Sequence, residues 1–331
     1  MKTKIVLVIF LFIVNVNFAQ KIKPDATLIV HSANLLDLIP DNLKIEIISE
    51  GFEWTEGPLW LPNENKLIFS DIPSNSIFEW TEIGGTKLYL KPAGYTGKEK
   101  RGGETGSNGL LLNPEGELVL CQHGDRRMAK MKAKLSNPKA DFTTLAGNYN
   151  GKKLNSPNDA VFHKNGDLYF TDPPYGLEQN DKDPLKELDF QGVYKVDKTG
   201  KITLLTQELS RPNGIAFSPD YKKLYVANSD PEKAIWMVYD VDENGLLNNG
   251  KLFFDATDKT KTLKGLPDGM KVHKNGWIFA TGPGGILIFT PEGEHLGTII
   301  IGEATANCAF NSDYSELFIT ADDYLLRVKL K

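Results

Sequence analysis

One short pattern recurs six times along this chain, and each copy sets an oxygen-bearing side chain at the head of an apolar strand. The copies begin at Glu56 (EGPLWLPNENKLIFSD), Asn108 (NGLLLNPEGELVLCQ), Asn158 (NDAVFHKNGDLYFTD), Asn213 (NGIAFSPDYKKLYVAN), Asp268 (DGMKVHKNGWIFATG) and Asn307 (NCAFNSDYSELFITA). They are spaced by 52, 50, 55, 55 and 39 positions. A period of about fifty residues marks radial or solenoid repetition. Each copy holds a short apolar strand, a turn rich in Gly, Pro, Asn or Asp, and a second strand such as LVLCQ or LYVAN. Alternating residues and hairpin-type turns make the two strands antiparallel neighbours. Hairpins at 192–206 and 284–300 supply third and fourth strands.

Four strands taken six times predict an all-β fold, a six-bladed β-propeller with four-stranded antiparallel blades. The last copy, 307–331, has room for three strands only. The unassigned strand LKIEIIS at 43–49 is free to complete it, so an N-terminal strand joins the C-terminal blade and closes the ring. Helical periodicity is weak everywhere, with minor candidates at 126–134 and 183–188.

A composition of 40% apolar and 24% charged residues is that of a soluble globular chain. The formal charge of −5, with no basic run carrying interleaved aromatics, argues against nucleic acid as a partner. Residues 1–19 resemble a signal peptide: Lys2 and Lys4 precede an apolar stretch at 5–14, and Ala19 offers a cleavage site. The same stretch left uncleaved would be a membrane anchor. With cleavage, an exported protein is expected, periplasmic or secreted, monomeric and without stable membrane association. Residues 20–42 read as a loosely structured lead-in, and 43–331 as the propeller. Cys121 and Cys308 sit in apolar strands of different repeats and are expected to be buried free thiols.

Innermost strands of a propeller line its channel and run in one direction, so their heads converge at one mouth. Glu56, Asn108, Asn158, Asn213, Asp268 and Asn307 would then form a ring of oxygens that must be paired, hydrated or bound to an ion. Two carboxylates with several amides, and no His or Cys, describe a hard-cation site. Ca²⁺ takes about six to eight oxygens and tolerates irregular geometry; Mg²⁺ and Mn²⁺ are further oxygen-seeking candidates, and Zn²⁺ ranks lower because it prefers nitrogen and sulfur. Asn or Asp before Gly is also ordinary turn chemistry, which would account for any one copy taken alone. Glu56 in EGPLW escapes that explanation. His163 and His273, in HKNG turns, are expected to be solvated, and His31 and His295 have no supporting context.

EGPLW, SPNDAVF, RPNGIAFSPD, LPDGMKV and CQHGDRRM together resemble the SMP-30/gluconolactonase/LRE-like family, from about residue 43 to the C-terminus. The resemblance implies a six-bladed propeller with a divalent metal, usually calcium, in the channel, and hydrolysis of a small-molecule sugar lactone. It places Glu56, Asn158, Asn213 and Asp268 at the family's metal-ligand positions. Asn108 is then a channel residue facing substrate, and Asn307 holds the sixth equivalent place. Ser156 stands where the vertebrate branch has arginine, so that branch's substrate contacts do not carry over. HGDRR and FTDPPYG are more similar to the bacterial gluconolactonase-type branch.

On that basis Asp268 is the expected proton acceptor or, second, the nucleophile, and His123 is the other candidate for proton transfer. His123, Arg126, Arg127, Asp172 and Tyr175 are expected substrate contacts. Each also has a plainer reading: His123 as a hydrogen-bonded loop residue, an arginine paired with Asp125, and Asp172 and Tyr175 as parts of a Pro-Pro turn. The insertions at 91–105 and 177–188 could roof the channel mouth. No G-x-S-x-G elbow supports serine-esterase chemistry. Two other functions stay open: a metal-dependent aryl-esterase or phosphotriesterase on the same scaffold, and a non-catalytic propeller that uses calcium to close its channel.

Overall fold

The computed structural model describes residues 21–23 and 27–331; the expected signal peptide lies outside the described residues. Six antiparallel sheets stand around a channel. Blade one comprises Thr55–Leu61, Lys66–Asp71, Ser76–Thr81 and Gly85–Leu90. Blade two comprises Ser107–Leu112, Leu118–Gln122, Arg127–Met131 and Phe142–Ala146. Blade three has Ala160–Phe162, Leu168–Asp172, Gly192–Val196 and Ile202–Thr206, and blade four Pro212–Phe217, Lys223–Asp230, Lys233–Val241 and Leu247–Asp255. Blade five is built from Met270–Val272, Ile278–Gly282, Gly285–Phe289 and His295–Ile300. Blade six takes Thr305–Phe310, Glu316–Ala321 and Tyr324–Lys329 from the C-terminus and Ile45–Glu50 from the N-terminus, with Leu326 opposite Ile47.

The lead-in is more ordered than expected. Lys21–Ile22 adds a fifth strand to blade six, and Thr27–Val30 a fifth strand to blade five. Backbone pairing accounts for this, because the outer edges of both blades would otherwise expose unpaired N–H and C=O groups. The two weak helical candidates are not helices: Arg127–Met131 is the third strand of blade two, and 183–188 is irregular.

Apolar side chains meet between blades, not within one. Tyr169 and Val193 of blade three, for instance, share a cluster with Ile215, Phe217, Val226 and Tyr239 of blade four. The HKNG histidines belong to these seams, which corrects their expected solvation. His273 is only 3% exposed. Its ring packs edge-on against Phe310 and Tyr314 of blade six, while His163 meets Phe217 and Tyr221 of blade four in the same way. Each turn follows a blade's innermost strand, so its imidazole lands beside the aromatic of the next blade. Cys121 and Cys308 are buried and free, as expected.

Towards the channel the strand heads approach very closely. A Cβ on Gly57 would overlap the carbonyl oxygen of Asn108, and one on Gly214 that of Asp268. A Cβ on Gly269 would collide with the Asn307 amide, and one on Gly109 would lie 2.8 Å from Asn158 O. The glycine after the ring residue is therefore a contact residue, not merely a turn former. Hydroxyls tie the same junctions: Ser70 Oγ donates to Asn108 O at 2.9 Å, Thr171 Oγ1 to Asn213 O at 2.7 Å and Thr281 Oγ1 to Ala306 O at 2.8 Å.

Two predictions follow from this packing. Gly214→Ala forces blades four and five apart and should cost about 2–3 kcal/mol in urea unfolding. Gly147→Ala, whose Cβ meets nothing nearer than 3.3 Å, should stay near wild type; equal losses would refute the close-approach account. On the outer edge, His295 packs against His31 with ring centroids 4.7 Å apart and planes tilted by 60°. Burial, together with His31 and Lys259, pushes the His295 imidazole down to about 4. A group with a depressed folded pKa contributes stability above its ordinary value near 6.5 and loses that contribution as pH falls towards 4. His295→Gln should flatten the pH dependence of Tm between pH 6.5 and 4; an unchanged slope would contradict this.

Candidate metal centre and substrate cavity

Convergence of the strand heads puts Glu56, Asn108, Asn158, Asn213 and Asp268 on the wall of one cavity of about 460 Å³. These residues come from blades one to five and are scattered over more than two hundred positions of sequence. Glu56, Asn108, Asn158 and Asn213 are almost fully buried. Asp268 is partly accessible to the cavity, but its Oδ1 is shielded. The Oδ1 atoms of Asn108, Asn158, Asn213 and Asp268 are buried and accept no hydrogen bond within the protein. Such orphaned oxygens each cost on the order of 1–3 kcal/mol unless a ligand, water or ion meets them.

Neighbours fix some of these groups. Asn213 Nδ2 donates to Ser229 Oγ at 3.2 Å, and Ser229 Oγ is also hydrogen-bonded to the Tyr175 hydroxyl. The Asn213 amide oxygen is thereby turned away from Ser229. Glu56 Oε2 accepts from Gly57 N–H at 2.8 Å and from Asn307 Nδ2 at 3.3 Å, which leaves Oε1 for another partner. Asn307 differs from the other ring members. Its oxygen already accepts from Cys308 N–H at 2.9 Å and from Lys271 Nζ at 3.1 Å, so it presents an NH₂ to Glu56. It shapes the ring and does not offer it an oxygen.

Carboxylates outnumber cations here. Burial, then repulsion from Asp159, pushes the Glu56 carboxyl up to about 8. Burial pushes Asp268 well above the usual carboxylate range, with Glu56, Asp159 and Glu104 adding repulsion. Asp159 is raised by burial and partly relieved by Lys271. A divalent cation would supply the missing positive charge and meet the orphaned oxygens at once, so the donor set fits a hard metal ion. Among the described residues no three His, Cys, Asp or Glu side chains cluster into a metal set, because most of the donors here are amides.

Of the other expected contacts, Tyr175 lines the cavity. His123 does not: it is fully buried, and its Nδ1 lies 3.0 Å from Glu104 Oε2 without hydrogen-bond alignment. Arg126, Arg127 and Asp172 are engaged elsewhere. Arg126 Nε donates to Leu154 O at 2.7 Å and its Nη1 to Leu185 O at 2.8 Å. Arg127 binds Gln122 Oε1 at 2.7 Å, Thr144 Oγ1 at 2.9 Å and Asp125 at 2.9 Å. Asp172 receives the N–H groups of Asn155 and Ser156, both at 2.8 Å. Arg126 and Asp172 hold the loop that delivers Asn158, whereas Arg127 ties strands within blade two.

Sequence reasoning missed Glu104, Asp159 and Lys271. Glu104 comes from the 91–105 insertion, the only part of that segment on the cavity wall; within 177–188, Leu177 and Leu188 are buried and Leu185 O serves Arg126. Asp159 and Lys271 carried a signal. Asp159 stands where four copies have glycine, and Lys271 where the other five have an apolar residue.

Comparison with known proteins agrees with this architecture. The SMP-30/Gluconolactonase/LRE-like region matches residues 54–323. A gluconolactonase of Zymomonas mobilis is 41% identical over 308 residues, covering 89% of this chain and 84% of that protein. The solved structure of a gluconolactonase from Xanthomonas campestris superposes with a TM-score of 0.81 at 27% identity, over 95% of this chain and 98% of that one. Regucalcin of Xenopus laevis is 25% identical over 292 residues, covering 85% of this chain and 87% of its own length.

Asp172→Ala tests the reassignment of that residue. Two buried N–H groups lose their acceptor, so the expected cost is about 2–4 kcal/mol in urea unfolding. An unaltered stability would return Asp172 to the substrate contacts.

Proposed function

The chain belongs to the SMP-30/gluconolactonase/LRE-like family, and from that membership we propose that it is a lactone hydrolase working with a divalent cation, calcium foremost. The observation that carries the reading is the set of four orphaned buried oxygens, on Asn108, Asn158, Asn213 and Asp268, beside Glu56 around an open cavity. Glu56, Asn158, Asn213 and Asp268 would hold the ion, with Asn108 turned to substrate. An all-oxygen set favours Ca²⁺, with Mg²⁺ and Mn²⁺ next and Zn²⁺ behind. Held there, the cation would polarise the lactone carbonyl as a Lewis acid.

The protein's own groups supply the rest. Asp268 is the ring carboxylate more open to the cavity, and it takes the proton from the attacking water as the acyl carbon–oxygen bond forms. The ring acyl–oxygen bond then breaks, and the departing ring oxygen receives that proton and becomes the hydroxyl of the hydroxy acid. Tyr175, anchored on Ser229, and Glu104 are placed to meet substrate hydroxyls. His123 sits behind Glu104 and acts through it. The open cavity above Asp268 favours an enzyme over a propeller that only seals an ion. The leader-like N-terminus supports an exported enzyme, periplasmic or secreted.

The test is glucono-δ-lactone hydrolysis followed by proton release, with calcium affinity measured by calorimetry. Chelation should abolish turnover and added calcium should restore it. Asp268→Asn should lower kcat by about 10²–10⁴, more than it weakens calcium binding, whereas Glu56→Gln should act mainly on affinity. Full activity in the chelated protein would defeat the metal-dependent reading.

A further inference from the structure

The blades are not equivalent in what they bring to the cavity mouth, and their order around the ring sorts these contributions into two arcs. The loop before blade two supplies Glu104 and blade three Tyr175, both polar. Going on round the ring, blade four supplies Pro231, the loop before blade five Leu263 and Leu266, and the loop before blade one Trp54. The large apolar side chains are therefore gathered on one half of the mouth, where Ser229, Thr260 and Thr305 stand among them, and Glu104 and Tyr175 face them from the other half, with the oxygen ring at the floor.

The apolar arc is held in place. The turn Thr257–Lys261 is closed by Thr260 Oγ1 on Thr257 O at 2.8 Å, and Leu263 N–H donates to Lys259 O at 3.0 Å. Lys264 reaches Glu303 of the next loop at 2.8 Å and straps the two loops together. Leu263 stays 39% exposed despite this fixing. A leucine held rigid at the rim of a cavity offers a preformed apolar contact and little else. The volume, about 460 Å³, would hold roughly fifteen waters at liquid density, more space than a bare six-membered lactone ring fills.

We propose that the preferred substrate is an amphipathic lactone, whose ester ring lies on the strand-head oxygens, whose polar substituents face Glu104 and Tyr175, and whose alkyl or aryl substituent lies on the Trp54–Leu263–Leu266 arc. The inference rests on the lactone-hydrolase reading and names its substrate class. An unsubstituted polyhydroxy lactone leaves Leu263 and Leu266 wetted. A side chain of several methylenes covers them, and each buried methylene strengthens binding about fourfold.

The experiment measures kcat/KM, with saturating calcium, for δ-valerolactone, a series of δ-alkyl-δ-lactones of increasing chain length, and glucono-δ-lactone. The expected result is a rise of roughly two- to fourfold per methylene over the first three or four, a slope flattened in Leu263→Ser. Leu252→Ser, an exposed leucine on the outer strand of blade four, should keep the wild-type slope and control for general surface effects. Hydrolysis of glucono-δ-lactone with no gain along the alkyl series overturns the amphipathic substrate and leaves the lactone hydrolase standing. Turnover of none of these lactones overturns both.

Discussion

The rest of the molecule depends on how closely six strand heads can be brought together. Four of them carry glycine directly after the ring residue, at positions 57, 109, 214 and 269, and there the neighbouring backbone or amide occupies the space a side chain would need. The hydroxyls of Ser70, Thr171 and Thr281 reach across to the next blade and hold the junctions shut. At this spacing the side chains ahead of the glycines face a common space, where the Oδ1 atoms of Asn108, Asn213 and Asp268 find no partner within the protein. The orphaned oxygens are thus a product of backbone packing. Their desolvation is offset by large apolar seams between blades, away from the channel.

Asymmetry gives the ring its chemistry. Where the repeat keeps Asn, the oxygen is neutral. Where it departs to Glu56 and Asp268, two carboxyls repel one another in a buried setting, and Asp159 adds to the repulsion. The sixth member is converted to a different task by a residue of another blade and by its own neighbour: Lys271 and the Cys308 N–H occupy the Asn307 oxygen, and the amide turns its donor towards Glu56. A chain of hydrogen bonds from Lys271 through Asn307 to Glu56 thereby decides which carboxylate oxygen stays available.

Architecture was legible because a propeller writes its period into the sequence, and five of six ring residues reach the cavity as their positions in the repeat suggest. Asn307 was not legible as a donor, since its amide orientation depends on Lys271, 36 residues away and in a different blade. Arg126, Arg127 and Asp172 were misplaced because clustered charge near a strand end looks the same whether it meets a substrate or a backbone carbonyl. In Arg126 and Asp172 the partners are main-chain groups of adjacent loops, which leave no trace in side-chain identity. The HKNG histidines fail for a related reason: their turns are polar, but the seam they point into belongs to the next blade.

Closure of the ring has a further implication for how the chain comes into being. Ile45–Glu50 completes the sheet whose other strands are Thr305–Phe310, Glu316–Ala321 and Tyr324–Lys329. The strand made early in synthesis therefore waits for its blade-six neighbour Tyr324–Lys329 until the final residues have left the ribosome. An arc not yet closed exposes the apolar blade faces at its two ends, and blade six without its fourth strand adds an open sheet edge that invites pairing between chains. Contacts that join the two ends of a sequence, as this one does, are the kind that slow folding and lengthen exposure to aggregation. Once made, that contact latches the circle, and no blade can leave without breaking it.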